Sequence, residues 1–192
     1  MRRPAGGRAW RAPVAAAALL AGLAAPPAGA HPRLLLSGGR TFAIIANSTE
    51  GGPSFDLRAL WPMRSDIGLG AALFAHDMGQ AVGELPLDMG AVGEPAEFTA
   101  GAGLAADLHP FANRAGPARG LFANGTAGPY LVRETQFGNQ LYSQGALGWS
   151  LGGGWRTRLG DRATAGGFVQ YHRVFNDRLG RFMSAGLEWS WR

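Results

Sequence analysis

The chain has 192 residues, of which 46% are hydrophobic, and its 18 basic residues, all arginines, outnumber its 13 acidic ones. The first 30 residues hold four of the arginines and no acidic residue, so the rest of the chain has fourteen basic and thirteen acidic residues. This balance lacks the basic excess that neutralises nucleic-acid phosphates, and we expect no nucleic-acid partner. The chain has no cysteine, which excludes a disulfide framework and a thiolate metal site.

Residues 1–30 have the pattern of a cleavable secretory signal peptide. Arginines occupy its start, residues 14–25 form a short apolar run, and residues 28–30 read Ala-Gly-Ala, as at a cleavage site. We predict cleavage after Ala30 and a single mature domain. No later stretch reaches the roughly 20 continuous apolar residues that a transmembrane helix needs, so the sequence excludes a helical membrane protein.

Beyond the signal peptide, small or polar residues alternate with larger apolar ones at a period of two, which is typical of β-strands. In residues 97–108, for example, the face that begins at Phe98 is entirely apolar, whereas the other carries glycine, threonine and acidic residues. Residues 31–39 are expected to be a short lead-in to a domain at 40–192. The alternation predicts eight strands, at residues 40–48, 54–62, 66–76, 97–108, 119–133, 144–157, 162–173 and 182–192.

When a strand has one apolar and one polar face, both faces have a matching environment if lipid lies outside the barrel and a polar lumen lies inside. The connections favour the same arrangement, because most turns at one rim are short and the other rim has the long connection 77–97 and loops at 48–53, 134–142 and 176–180. The turn at 109–118 is longer than this scheme requires. The predicted fold is all-β, an eight-stranded antiparallel up-and-down transmembrane β-barrel, and we expect it to be a monomer.

Aromatic residues fall near the ends of the predicted strands, on the face assigned to lipid. Their rings combine an apolar body with a polar group, which favours the boundary between membrane and water. A β-sandwich with a tryptophan core is a less favoured alternative, because its solvent face should be polar. The predicted interface aromatics are Trp61, Trp155, Trp189 and Trp191 towards the periplasm and Phe55, Phe98 and Tyr171 at the opposite end.

The end of the chain carries the most specific motif. Ser184 is followed by Gly186 and then by two aromatic residues one position apart, Trp189 and Trp191. In this motif, and in the strand pattern of residues 40–192, the chain resembles the small eight-stranded outer-membrane barrels, the OmpA/OmpX-like and OmpW-like porin-family proteins of Gram-negative bacteria. Arg192 departs from the family, which usually ends on the aromatic residue.

The resemblance implies a protein of the cell outer membrane, in contact with outer-membrane lipids and lipopolysaccharide. It also implies that Ser184, Gly186, Trp189 and Trp191 form an assembly signal read by the barrel-assembly machinery during insertion. The favoured function is a structural or surface-interaction role, with passage of small solutes through a narrow pore left open.

The polar faces of the strands predict a network in the lumen, because an eight-stranded barrel is filled by side chains or holds one small ligand, and buried charges must pair. Arg58 or Arg156 could gate a narrow pore by exchanging partners between Asp56 and Glu188. Further residues of this face are His76, Glu97, Thr99, Asp107, Asn124, Thr126 and Ser150. The predicted network is Asp56, Arg58, Arg156, Gln170, His172, Ser184 and Glu188.

The enzymatic alternative is a lipid-modifying protein, an acyl hydrolase or transferase acting on lipid A. His172, Ser184 and Glu188 supply the residue types of a hydrolytic triad. The motif of lipid A deacylase barrels is absent, however, so we expect no catalytic residue. The four histidines show no metal-ligand spacing, and we expect neither a metal nor a cofactor. The acidic connection 77–97 could hold divalent cations or bind a basic partner, although a solvated loop is favoured.

Overall fold

The structure is a computed structural model that describes residues 31–43, 51–80, 96–136, 139–176 and 180–191. The predicted signal peptide, the part of the acidic connection at 81–95, and Arg192 lie outside the described residues. No helix within the described ranges is long and apolar enough to cross a membrane.

Eight antiparallel strands follow one another around a closed barrel, and the first strand also pairs with the last. This confirms the predicted all-β, eight-stranded up-and-down architecture. A 3₁₀ turn at Pro117–Gly120 precedes the fifth strand. The strands are β1 Arg33–Ala43, β2 Pro53–Pro62, β3 Ile67–Gln80, β4 Ala96–Leu108, β5 Leu121–Gln136, β6 Asn139–Arg158, β7 Ala163–Val174 and β8 Arg181–Trp191.

The first strand begins earlier than predicted. Arg33 lies opposite Leu60 of β2, and Leu34 lies opposite Trp191 of β8, so residues 33–39 belong to the barrel and are not a lead-in. Three consecutive leucines obscure the alternation here, because Leu35 is buried in the interior while its neighbour Leu36 is exposed on the outer face. The prediction for this strand rested on residues 44 and 45, which lie outside the described residues.

The predicted loop at 134–142 is also largely strand. Glu134 of β5 lies opposite Tyr142 of β6, and after a local irregularity Gln136 lies opposite Asn139. Polar residues, glycine and asparagine in this stretch suggested a loop, yet the backbone ladder extends as far as Gln136 on β5 and starts again at Asn139 on β6. β5 and β6 are consequently the two longest strands. We call the rim at which they meet the upper rim, and the rim with Arg33 and Trp191 the lower rim.

The barrel has the reverse polarity of a water-soluble protein. In β2, Asp56 and Arg58 are buried, whereas their neighbours Phe55 and Leu57 are 58% and 42% exposed. On β8, Leu187 is 74% exposed beside the buried Glu188. The closed barrel and its outward-facing tryptophans exclude the β-sandwich alternative.

Glycines at the closing seam allow β1 and β8 to approach each other. Gly39 lies opposite Gly186, and both belong to the inward-facing set of their strands. A Cβ atom on Gly39 would lie 2.1 Å from the carbonyl oxygen of Ala185, and one on Gly186 would lie 2.1 Å from that of Gly38. Backbone atoms cannot yield as a flexible side chain can, so the seam requires glycine at these inward positions.

We therefore predict that Gly39→Ala lowers the free energy of unfolding by about 1–3 kcal/mol, the usual cost of forcing extra atoms into a packed site. Gly38→Ala is the matched control, because a Cβ there meets only the ring of Phe55 at an ordinary 3.8 Å. Urea unfolding in detergent micelles, followed by tryptophan fluorescence, compares the two variants. Equal unfolding midpoints for both would contradict the close approach at the seam.

Candidate functional site

The lower half of the interior is organised around Glu188. Arg58 donates from Nη2 to Glu188 Oε2, and Arg156 donates from Nε to Oε1, so each carboxylate oxygen has its own guanidinium. The hydroxyl oxygen of Ser37 lies 3.1 Å from Arg58 Nη2 and 3.4 Å from Glu188 Oε2. All four residues are at least 95% buried, which makes their charges mutually dependent.

Arg156 extends this arrangement to a second carboxylate. Its Nη1 and Nη2 lie 2.5 and 3.2 Å from the two oxygens of Asp107, a bidentate pair. Its guanidinium stands 3.6 Å from the ring centroid of Phe122, and His109 Nε2 lies 2.9 Å from Asp107 Oδ2. Two arginines thus face two carboxylates, and we call this set, Arg58, Asp107, Arg156 and Glu188, the ionic layer.

The register of the sheet explains why Arg156 and Glu188 meet. Glu188 of β8 lies opposite Gly166 of β7, and Gly166 in turn lies opposite Arg156 of β6. Gly166 has no side chain, so the two charged side chains can join across the intervening strand. The hydrogen bonds of the layer therefore depend on a glycine as well as on the charges.

Above the ionic layer the interior is filled by rings. His172 is stacked on Phe182 with centroids 4.2 Å apart, and His76 meets His172 edge-on at 4.6 Å. The ring centroids of Phe74 on β3 and Tyr130 on β5 lie 4.4 Å apart, across Gly101 of the intervening strand. Each ring residue is at most 6% exposed, so the rings occupy this cross-section. We call these five residues, Phe74, His76, Tyr130, His172 and Phe182, the aromatic layer.

Hydroxyl groups hold the two histidines in place. Ser184 Oγ lies 3.0 Å from His172 Nε2, and Ser54 Oγ lies 3.0 Å from His76 Nδ1. The hydroxyl of Tyr130 lies 3.5 Å from His172 Nδ1. These hydroxyl partners are neutral, and the aromatic layer is a packed polar–aromatic core whose one nearby carboxylate, in the described residues, is that of Asp56 beside His76.

The seven residues of the predicted lumen network are all buried in the interior, but they lie in separate groups. The ionic layer contains Arg58, Arg156 and Glu188, whereas His172 and Ser184 lie in and against the aromatic layer. Gln170 donates from Nε2 to Ser150 Oγ at 2.7 Å. Asp56 forms no ion pair with either arginine in the described residues, and its Oδ1 lies 3.6 Å from His76 Nε2.

The sequence placed His76 and His172 on the lumen face but did not identify Tyr130 and Phe182 as their ring partners, nor the polar groups next to the ionic layer. Tyr130 and Phe182 occupy inward positions of their strands, and strand parity would have identified them. Ser37 was missed because β1 was placed too late, and His109 because it follows the end of β4. Within the described residues no group of three or more histidine or acidic side chains is placed to hold a metal ion.

The predicted interface aromatics all lie on the outer face of the barrel. Trp61 and Tyr171 are partly exposed. In the assembly motif, Ser184 and Gly186 belong to the inward set and the two tryptophans to the outward set. The remaining five aromatics are 39–58% exposed: Phe55, Phe98, Trp155, Trp189 and Trp191.

The structure does not assemble the hydrolytic triad considered above. His172 and Ser184 are in contact, but Glu188 is bound by two arginines and does not orient the imidazole. The other ring nitrogen of His172 faces Tyr130. Ser184 is fully buried, and an acyl chain cannot reach it without opening the barrel.

Two solved structures share this fold. Ail, the attachment invasion locus protein of Yersinia pestis, matches with a TM-score of 0.52 and 9% identity over 84% of this chain and 97% of that chain. Neisserial surface protein A matches with a TM-score of 0.51 and 12% identity over 84% of this chain and 95% of that chain. No protein-family model and no curated sequence matches. The chain therefore has the fold of the small eight-stranded outer-membrane β-barrels.

The ionic layer should dominate the stability of the barrel. Glu188→Gln keeps the shape of the side chain but removes the carboxylate that pairs with Arg58. Within the described residues no other carboxylate lies within ion-pair distance of Arg58, and its Nε and Nη1 atoms have no hydrogen-bond partner. We predict a loss of about 3 kcal/mol in the free energy of unfolding, because a buried guanidinium is left unpaired.

Asp161→Asn is the matched control, since it removes a carboxylate from the exposed β6–β7 turn and should change stability by no more than about 0.5 kcal/mol. Urea unfolding in micelles gives both values. A Glu188→Gln midpoint equal to that of the control would show that the ion pairs contribute little.

Proposed function

We propose that the protein is an outer-membrane β-barrel with a closed lumen, and that its function is structural or lies in interactions of its surfaces. The observation that carries this proposal is the reversed polarity of the barrel. An exterior of leucine, phenylalanine and tryptophan around an interior of paired charges suits a sheet with lipid outside. Water outside would leave this exterior without a partner.

The contacts in the lumen argue against a narrow pore gated by arginine exchange. Arg58 and Arg156 both bind Glu188, and Arg156 also has a bidentate partner in Asp107. An exchange with Asp56 would have to break these buried pairs. Even then the rings of the aromatic layer would still fill the lumen above them. Two independent obstructions therefore lie in series.

A surface role is consistent with the structural neighbours, which are an attachment invasion locus protein and a surface protein. Loops on a rigid scaffold commonly carry recognition, and two of the upper-rim connections are long. In this proposal the lower rim faces the periplasm, and outer-membrane lipids and lipopolysaccharide surround the apolar exterior. The barrel-assembly machinery would read Ser184, Gly186, Trp189 and Trp191 during insertion.

The experiment that tests this proposal uses protein extracted with detergent from the outer-membrane fraction, where we expect to find it. Reconstituted in planar bilayers, the wild-type protein should give no discrete current steps. Glu188→Ala should be equally silent, because the aromatic layer still blocks the lumen. Asp161→Ala, which removes a carboxylate from the exposed turn, controls for changes in charge.

Discrete openings of the wild-type protein, increased by Glu188→Ala and not by Asp161→Ala, would establish the gated pore instead. Recovery of the protein from the soluble periplasmic fraction would contradict the membrane location itself.

A further inference from the structure

A cavity of about 710 Å³ opens at the lower rim, within the size range of small-molecule sites. Its lining comes from the start of β1, the connection between β4 and β5, the turn between β6 and β7, and the ends of β6 and β8. Arg156 of the ionic layer lies at the inner end of this cavity. We call it the rim pocket. Its cationic lining side chains are Arg33, Arg119, Arg156, Arg158 and Arg162.

The rim pocket has a surplus of positive charge. Asp107 and Glu188, which lie further inside the barrel, balance the charge of Arg156. Among the described lining residues, Arg119, Arg158 and Arg162 are accompanied by a single acidic side chain, that of Asp161. Charge of one sign in a concave site focuses the electrostatic field and attracts ions of the opposite sign.

The guanidinium of Arg33, at the wall formed by β1, is held in a fixed position. Arg33 donates from Nη2 to Thr164 Oγ1 at 2.9 Å and to Ser190 Oγ at 2.8 Å, and from Nε to Ser190 Oγ at 3.0 Å. These hydrogen bonds orient the guanidinium within the pocket. Arg33 Nη1 also lies 3.5 Å from His109 Nε2, which connects the pocket to the ionic layer.

The opposite wall is formed by the short β6–β7 turn. Leu159 N donates to Ala163 O at 2.9 Å, and this hydrogen bond places Arg158 and Arg162 on the two sides of the turn. Both side chains are exposed, and neither has an ion-pair partner within the described residues. Their guanidinium groups are therefore available to a ligand.

We propose that the rim pocket binds a phosphate group. Arginine pairs bidentately with phosphate, whose oxygens can accept hydrogen bonds from several directions. Here guanidinium groups approach from β1, the β4–β5 connection and the β6–β7 turn. A tetrahedral phosphate can accept hydrogen bonds from all three sides, whereas a flat carboxylate cannot. The phosphate can belong to a phospholipid headgroup or to a soluble molecule. Phosphate binding does not depend on the proposed function. The orientation of the pocket towards the periplasm does rest on it.

The test uses the mature chain folded in zwitterionic detergent micelles and titrated with inorganic pyrophosphate, and separately with dihexanoyl-phosphatidylglycerol. Backbone amide shifts measured by NMR should change saturably at residues 158–162 and at Arg33. In Arg158→Gln/Arg162→Gln the affinity should fall by about tenfold or more, because two guanidinium groups that can pair with the phosphate are lost.

Arg114→Gln/Arg181→Gln is the matched control, because it removes the same charge from exposed arginines outside the pocket. Its affinity should stay within about twofold of the wild type, a difference of less than half a kcal/mol. Binding of pyrophosphate would identify a soluble phosphate as a sufficient ligand, whereas binding of the lipid alone would identify a headgroup site. Binding of neither probe, or an equal loss in the control variant, would overturn the proposal. Absence of phosphate binding would not contradict the proposed closed-lumen barrel, because the assay starts from folded protein in micelles.

Discussion

The carboxylate of Glu188 accepts hydrogen bonds from two arginines on separate strands, Arg58 of β2 and Arg156 of β6. A charge removed from water is costly, and here the cost is offset only because each carboxylate oxygen has a cationic partner and Arg156 has Asp107 as well. The reversed polarity of the barrel depends on this arrangement. Apolar side chains can occupy the exterior because the charges on the alternate positions neutralise one another inside.

Packing and backbone geometry support the same design. Glycines at the β1–β8 seam allow the sheet to close, and Gly166 leaves the space through which Arg156 reaches Glu188. The aromatic layer then fills the lumen above the ion pairs. If the lumen is closed, as we propose, contacts with other molecules are made at the outer face and the two rims. The arginine-lined pocket at the lower rim is such a surface.

The sequence predicted most of the architecture because a strand with one apolar and one polar face shows a clear alternation of apolar and polar residues along the chain. Residues 97–108 became β4 at Ala96–Leu108, and residues 182–192 became β8 at Arg181–Trp191. The period failed at the leucines that begin β1. It could not supply the ion pairs either, because the partners of Glu188 are far away in sequence and are set by the register of neighbouring strands. Parity identified the interior face but not which of its residues touch.

In the proposed arrangement the apolar outer face lies against lipid, and the tryptophans can test this. The five tryptophans after residue 30 all lie on that face. Fluorescence should be strongly quenched in vesicles whose lipids carry bromine on the acyl chains, compared with vesicles of unbrominated lipid. Bromine near the headgroup end of the chain should quench more than bromine near the bilayer centre, because these residues favour the interface. Equal fluorescence in brominated and unbrominated vesicles would contradict a lipid-facing exterior.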